Sequence, residues 1–347
     1  MEENVLKTIL ENVSDSSNTL KFYFITRKAK ENLKGKRKAL EKYDFNAIRV
    51  DINTEIREFL FNLVNEQIKS AIKKNLDISP YDVIADDQEQ IFTYSEINKS
   101  GSFAKIINEQ LNNKSQLVVM QDFEDLISAG LLWAYCIELS YEDVESIKYI
   151  YTFRKLNSGS IIVDEKDNKQ SVGRQITTLF STESNKLEFF RGHAIKLDSQ
   201  IDCIYDNGIF YILHKNMFES LVGLAEDFKE QAISIVDNLS ATNKFIGLEY
   251  IINEIDNNTA IHKKLIRLKK VANYEKIDKN MISKMKKAAK TEQYLLKTNE
   301  DGRIIIEDVK DVNMVIKLLC DYYKQGMVSG KSYGTYAGKM FSNEISS

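Results

Sequence analysis

Eleven lysines and arginines fall between Lys263 and Lys290, against two acids, Glu275 and Asp278. The stretch KKLIRLKKVANYEKIDKNMISKMKKAAK therefore carries +9 in a chain whose total is −3, which leaves −12 for the rest. Clustered ammonium groups hold polyanions electrostatically and release counterions from a phosphate backbone. Only one of the eleven is an arginine. Lysine is a point charge, whereas bidentate reading of bases favours Arg, Asn and Gln, so weak sequence preference is expected. The residues placed for nucleic-acid binding are Lys263, Lys264, Arg267, Lys270, Lys284, Lys286, Lys287 and Lys290. An acidic protein surface, an anionic lipid surface or a solvated face are the alternatives.

Other residue sets offer less. The chain has neither GxxxxGK[ST] nor GxGxxG, and the glycines of GMVSGKSYGTYAGK (Gly326–Lys339) fit neither spacing. That segment reads as turns around Tyr333 and Tyr336, with rings beside Lys331 and Lys339 that suit contact with a nucleic acid chain. The histidines His193, His214 and His262 are dispersed. Asp164, Glu165 and Lys166 have the letters of a metal-dependent nuclease but lie in the polar, loop-like VDEKDNK. Cys136, Cys203 and Cys320 sit in apolar contexts with no CxxC, as expected of buried thiols in a reducing compartment. The expectation is a protein with no catalytic residues, no metal site and no cofactor, hence not an enzyme. A metal-dependent nuclease and a scaffold with a basic docking patch are the competing readings.

Stepping outward from the lysines, Ile261, Leu265, Leu268 and Ala272 share one face of a helix over 259–272. Met281, Ile282, Met285 and Ala289 do so in a helix over 278–290. Each helix is expected to anchor by its apolar side and present cations on the other. Further helices are predicted at 245–255 and 309–325, with a β-hairpin over 294–308. Three helices followed by a hairpin is the order of winged helix-turn-helix domains.

The fold class is α+β: a mixed N-terminal region (1–120), a central antiparallel sheet packed by a long helix (121–240), and a mostly helical basic C-terminal region (241–347). Strands are expected at 20–26, 46–52, 131–139, 147–155, 193–198, 202–207 and 209–214, and helices at 54–74 and 103–111. Asp-Asn-Gly at 206–208 marks a hairpin. The long helix starts at an Asn216/Glu219 capping box, and Phe218, Leu221, Ala225, Phe228, Ala232 and Ile235 make one apolar stripe, a core face or a dimer seam. A second basic stretch, Arg27–Lys42, carries +6.

The opening MEENVLKTILENV lacks the pattern of a secretory signal. The longest apolar run, Ala129–Ile137, has nine residues, and a spanning helix needs about 20. A cytoplasmic protein is expected, reaching a membrane only through a partner.

YIYTFRK (Tyr149–Lys155), CIYDNGIFYILHKNMFESL (Cys203–Leu221) and AIHKKLIRLKK (Ala260–Lys270) resemble the KwaB component of the Kiwa anti-phage system. The shared pattern is a late hairpin with an isoleucine-tyrosine strand, a K-x-x-F-E helix start at Lys215, Phe218 and Glu219, and a basic helical tail. The resemblance spans roughly residues 120–340. It implies a bacterial defence effector that binds DNA as a homo-oligomer without cutting it. It also implies a KwaA-like multi-pass membrane partner. No individual binding residue is carried over from it.

Overall fold

In the computed structural model, which describes residues 5–14, 16–29, 43–83, 85, 90–95, 102–112, 118–119, 131–143, 146–157, 161–162, 180–181, 188–189, 194–271, 277–326 and 328–335, the chain is α+β and divides into two units. The first comprises residues 1–81 and 87–223, the second residues 82–86 and 224–347.

In the first unit, α1 (Val5–Val13) precedes β1 (Lys21–Ala29), β2 (Tyr43–Val50), α2 (Thr54–Lys73), β3 (Asp77–Pro80) and β4 (Gln90–Tyr94). Next come α3 (Ser102–Lys105), which runs on as a π-helical turn over Ile106–Leu111, and β5 (Val118–Val119). The long hairpin of β6 (Leu132–Asp143) and β7 (Ser146–Lys155) follows. Short strands β8 (Ile161–Ile162), β9 (Phe180–Ser181), β10 (Glu188–Phe189) and β11 (Ala194–Ile195) lead to β12 (Cys203–Asp206), β13 (Ile209–Ile212) and α4 (Lys215–Val222). Nine strands form one sheet in the order β3-β4-β13-β12-β7-β6-β1-β2-β5. The sheet is mixed rather than antiparallel throughout, because β3/β4 and β2/β5 pair in parallel. Strands read separately from the N-terminal and central regions thus share one sheet.

Alternation along the strands gives the sheet two buried faces. Phe22, Phe24, Tyr135, Ile137, Leu139 and Ile150 pack with Leu6 and Ile9 of α1 and Leu60, Val64 and Ile68 of α2. On the other face Phe153, Phe210 and Phe218 form a chain of rings with centroids 6.1 and 5.1 Å apart, joined by Phe103 of α3 at 5.6 Å. The Cys136 and Cys203 thiols are buried, and burial pushes both well above their usual range. Arg154 is buried too; its Nη1 donates to Asp202 Oδ1 at 2.5 Å and its Nε to Asp198 at 3.0 Å.

One irregularity interrupts the pattern. Ile25 pairs with Ala134 but Thr26 with Leu132, so Trp133 is an extra residue with no partner on β1. This β-bulge reverses the parity of β6, which is why Leu132 shares a core with Tyr135 and Ile137.

The expected long helix is broken. Gly223 adopts φ 80°, a left-handed C-cap whose N–H bonds Glu219 O, and the longer segment of the second unit begins at the next residue. The start differs as well: α4 begins at Lys215 with His214 as N-cap, while the buried Glu219 accepts a hydrogen bond from the Tyr81 hydroxyl at 2.7 Å. Phe218, Leu221, Phe228, Ala232 and Ile235 are all buried within the chain, so the stripe is not an open dimer seam.

The second unit contains α5 (Leu224–Ala241), β14 (Phe245–Ile246), α6 (Leu248–Asn257), α7 (Thr259–Val271) and α8 (Lys279–Ala289). After them come β15 (Ile304–Ile305), α9 (Val309–Leu319), β16 (Tyr323–Gln325) and β17 (Ser332–Gly334). The hairpin expected over 294–308 is reduced to one antiparallel bridge, Thr298 to Ile304. Its second arm pairs in parallel with β14, where the sequence predicts helix. The last helix stops at Leu319, and β16 pairs antiparallel with β17. Among the described residues no helix is long and apolar enough to cross a membrane.

Candidate nucleic-acid interface

The two basic helices have different surroundings. α7 packs on α5, α6 and α9. Ile261, His262, Leu265, Ile266 and Leu268 are all buried, an arc of about 160° at about 100° per residue. His262 Nε2 lies 2.7 Å from Ile255 O. Arg267, expected on the surface, is only 8 % exposed, and its Nε has no hydrogen-bond partner among the described residues. It lies near the buried Cys320 thiol, which desolvation pushes up to about 12 against the pull of Arg267 and Lys264. Lys263 and Lys264 are half-buried, with the Lys263 ammonium 5.8 Å from the Phe228 ring centroid. The Lys270 side chain lies outside the described set. α7 is a core helix, and burial takes Arg267 out of the surface set.

α8 is built as expected. Asp278 caps it by accepting a hydrogen bond from Met281 N at 2.7 Å. Ile282, Met285 and Ala289 are its buried residues. At about 100° per residue these three span a narrow arc; Lys284 and Lys287 fall on the opposite side, with Lys290, the C-cap, continuing the row toward its flank. Lys279, Lys284, Lys286, Lys287 and Lys290 are all exposed. Lys286 donates to Thr298 Oγ1 at 2.7 Å. Neighbouring acids are engaged elsewhere. Glu292 pairs with Lys317 at 2.7 Å, whose hydrogen bond holds its carboxyl below the usual range. Glu307 pairs with Lys297. Among the described residues no carboxylate pairs with Lys279, Lys284, Lys287 or Lys290. Such a face can neutralise phosphates at the spacing of successive helical turns. Lys286 and Lys287, in the last turn, also favour the negative end of the helix dipole.

Asp164, Glu165, Lys166 and His193 lie outside the described residues, as do Tyr336 and Lys339. His214 Nδ1 lies 2.8 Å from Ile201 O in the first unit. Lys331 and Tyr333 are exposed beside and within β17. Among the described residues no three His, Cys, Asp or Glu side chains gather as a metal group would require. A second gathering of cations was not foreseen: Arg27 and Lys155 meet at the Trp133 ring. The Arg27–Lys42 charge pointed to the neighbourhood, but only the strand register brings Lys155 there.

The molecule is thus an α+β protein with a nine-stranded mixed sheet and a separate helical unit bearing a lysine face. A family model described as Kiwa protein KwaB-like matches residues 130–328, from the start of β6 to the turn before β17. The chain belongs to the KwaB-like family, and membership implies a role in Kiwa anti-phage defence. No curated protein and no solved structure matches it.

Proposed function

We propose that this protein is a non-enzymatic effector of the Kiwa system that binds DNA through α8 with little sequence specificity. The observation that carries this reading is the exposed row Lys284, Lys287 and Lys290, without carboxylate partners among the described residues, in a chain that is acidic elsewhere. Repulsion between these lysines is offset when phosphates displace their counterions. Each phosphate neutralised adds about −0.9 to the slope of log K against log salt. Three to five lysines therefore give a fall of roughly 1.6 to 2.7 decades between 50 and 200 mM salt.

Fluorescence anisotropy on two duplexes of unrelated sequence tests it. Changing Lys284, Lys287 and Lys290 together to Glu should weaken both complexes at least about tenfold at 50 mM salt and flatten the slope by about 2.7. Unchanged affinity and slope would reduce the row to a solvated face. Supercoiled plasmid with Mg²⁺ should remain intact; nicking abolished by EDTA would turn the reading toward a metal-dependent nuclease.

In this reading the protein works in the cytoplasm beside a KwaA-like multi-pass membrane partner, which the family resemblance supports. The homo-oligomer also rests on that resemblance, since the Phe218–Ile235 stripe is buried. Light scattering should give at least twice the 40.0 kDa chain mass.

A further inference from the structure

At one end of the first unit's sheet, Arg27 near the end of β1, Tyr43 at the start of β2, Trp133 at the bulge of β6 and Lys155 at the end of β7 come together. The Arg27 guanidinium carbon is 3.3 Å from the Trp133 ring centroid and 4.2 Å from that of Tyr43. The Lys155 ammonium is 4.2 Å from the Trp133 centroid. The indole is fixed by its own hydrogen bond from Nε1 to Leu221 O, at 3.3 Å. Two cations therefore share one ring, and all four side chains are half-buried rather than sealed.

Among the described residues this cluster has no uncommitted anion of its own. Among the described residues the Arg27 guanidinium makes no ion pair and no hydrogen bond; its neighbours are rings. Cation–ring contact uses the charge and leaves the N–H donors available. Among the described residues the hydrogen bonding of Lys155 Nζ is limited to a long contact to Leu156 O, at 3.4 Å. The carboxylate that attracts Lys155 is Asp202, but it is already committed, with Oδ1 to Arg154 and Oδ2 to the Lys155 backbone N–H at 2.7 Å. Burial lowers the affinity of both Arg27 and Lys155 for their protons, and repulsion from Arg27 lowers that of Lys155 further. An arriving anion would relieve each of these costs.

We propose that Arg27 and Lys155, held at Trp133, bind a phosphate group, carried by a small molecule or by a nucleic acid strand. Two positive charges match a phosphate monoester dianion, or a diester phosphate flanked by others along a strand, whereas acetate brings one isolated charge. The guanidinium fork supplies paired donors and the ammonium a point charge, the combination that recognises phosphate oxygens. The site lies in the first unit and does not depend on the α8 reading.

Trp133 is the only tryptophan in the chain, so its emission reports on the site directly. The full chain is titrated at fixed ionic strength with inorganic phosphate, with acetate, and with a short DNA duplex. A saturable change is expected with phosphate and none with acetate. Arg27→Gln and Lys155→Gln should each weaken the response about tenfold or more. Competition between the duplex and inorganic phosphate at Trp133 identifies a nucleic acid strand as the source. Saturation by phosphate, with emission indifferent to the duplex, identifies a small phosphate compound. Should Arg27→Gln fail to fold, the wild type and Lys155→Gln carry the test. No saturable response to phosphate or duplex, an equal response to acetate, or undiminished binding in a folded Lys155→Gln would overturn the proposal.

Discussion

α7 and α8 come from the same basic stretch, yet one is a core helix and the other has an open cationic face. The difference lies in their apolar residues. Ile261, Leu265, Ile266 and Leu268 of α7, with His262, are buried over an arc of about 160° at about 100° per residue, and Arg267 is buried beyond it. α8 buries only Ile282, Met285 and Ala289, with Met281 and Ala288 half-buried and exposed lysines, Ser283 and Asn280 over the rest. Lysine stems are long enough to lie along apolar surface with the head in water, so half-buried Lys263 and Lys264 are tolerated in a helix whose body is core. Charge per residue does not decide which surface is offered to a ligand; the width of the apolar arc does.

Substitutions can break or sharpen this contrast, and each should be read by thermal unfolding and by DNA anisotropy together. The largest effect belongs to Leu265→Ala in α7, which leaves a cavity at a fully buried position. It should destabilise the protein by about 2–5 kcal/mol; a loss below about 1 kcal/mol would mean that α7 is not core. The α8 charge reversal should do the opposite, shifting affinity while stability stays within about 0.5 kcal/mol. Smaller is Asp278→Ala, which removes the α8 cap and should cost about 1 kcal/mol. It also removes an acid beside the lysines, so DNA affinity should hold or rise, and a fall would argue against the lysine face. Smallest is Arg267→Met. Exchanging a buried cation that lacks a carboxylate partner among the described residues for an apolar chain should leave stability unchanged or slightly raised, with DNA affinity intact. A loss of more than about tenfold in affinity would return Arg267 to the interface.

Much of the sheet was legible because its signals are local. Aromatic and β-branched residues mark β1, β6 and β7, and the Asn-Gly turn behaves as its letters demand, with Asn207 at φ 47° and Gly208 at φ 85°. α8 was legible for the same reason: one cap and one narrow apolar arc. The failures are non-local or masked by periodicity. The spacing from Phe218 to Ile235 runs unbroken through Gly223, so the helix pattern hides the break, although a glycine mid-pattern is a C-cap signal. Arg267 reads as a surface cation until neighbouring helices close around it. The Trp133 bulge exists only in the register between β1 and β6, strands more than a hundred residues apart in sequence, and no property of either segment announces it. Asp164–Lys166 and His193 fall outside the described residues, so nothing in the structure weighs on them.

The place of β1 in the sheet also sets an order of events during synthesis. One neighbour, β2, follows closely, but the other, β6, arrives much later; Lys21 and Glu138, which meet at 2.8 Å, are 117 residues apart. Pairing over such a separation is slow, because loop closure precedes any gain from contact. The β6–β7 hairpin is local and forms quickly by comparison. Until it docks, the nascent chain carries Phe22, Tyr23, Phe24 and Ile25 along an unpaired strand edge, the kind of edge that recruits other chains. Expression yield should therefore depend more on chaperone supply while residues 21–138 are being made than on the stability of the finished sheet.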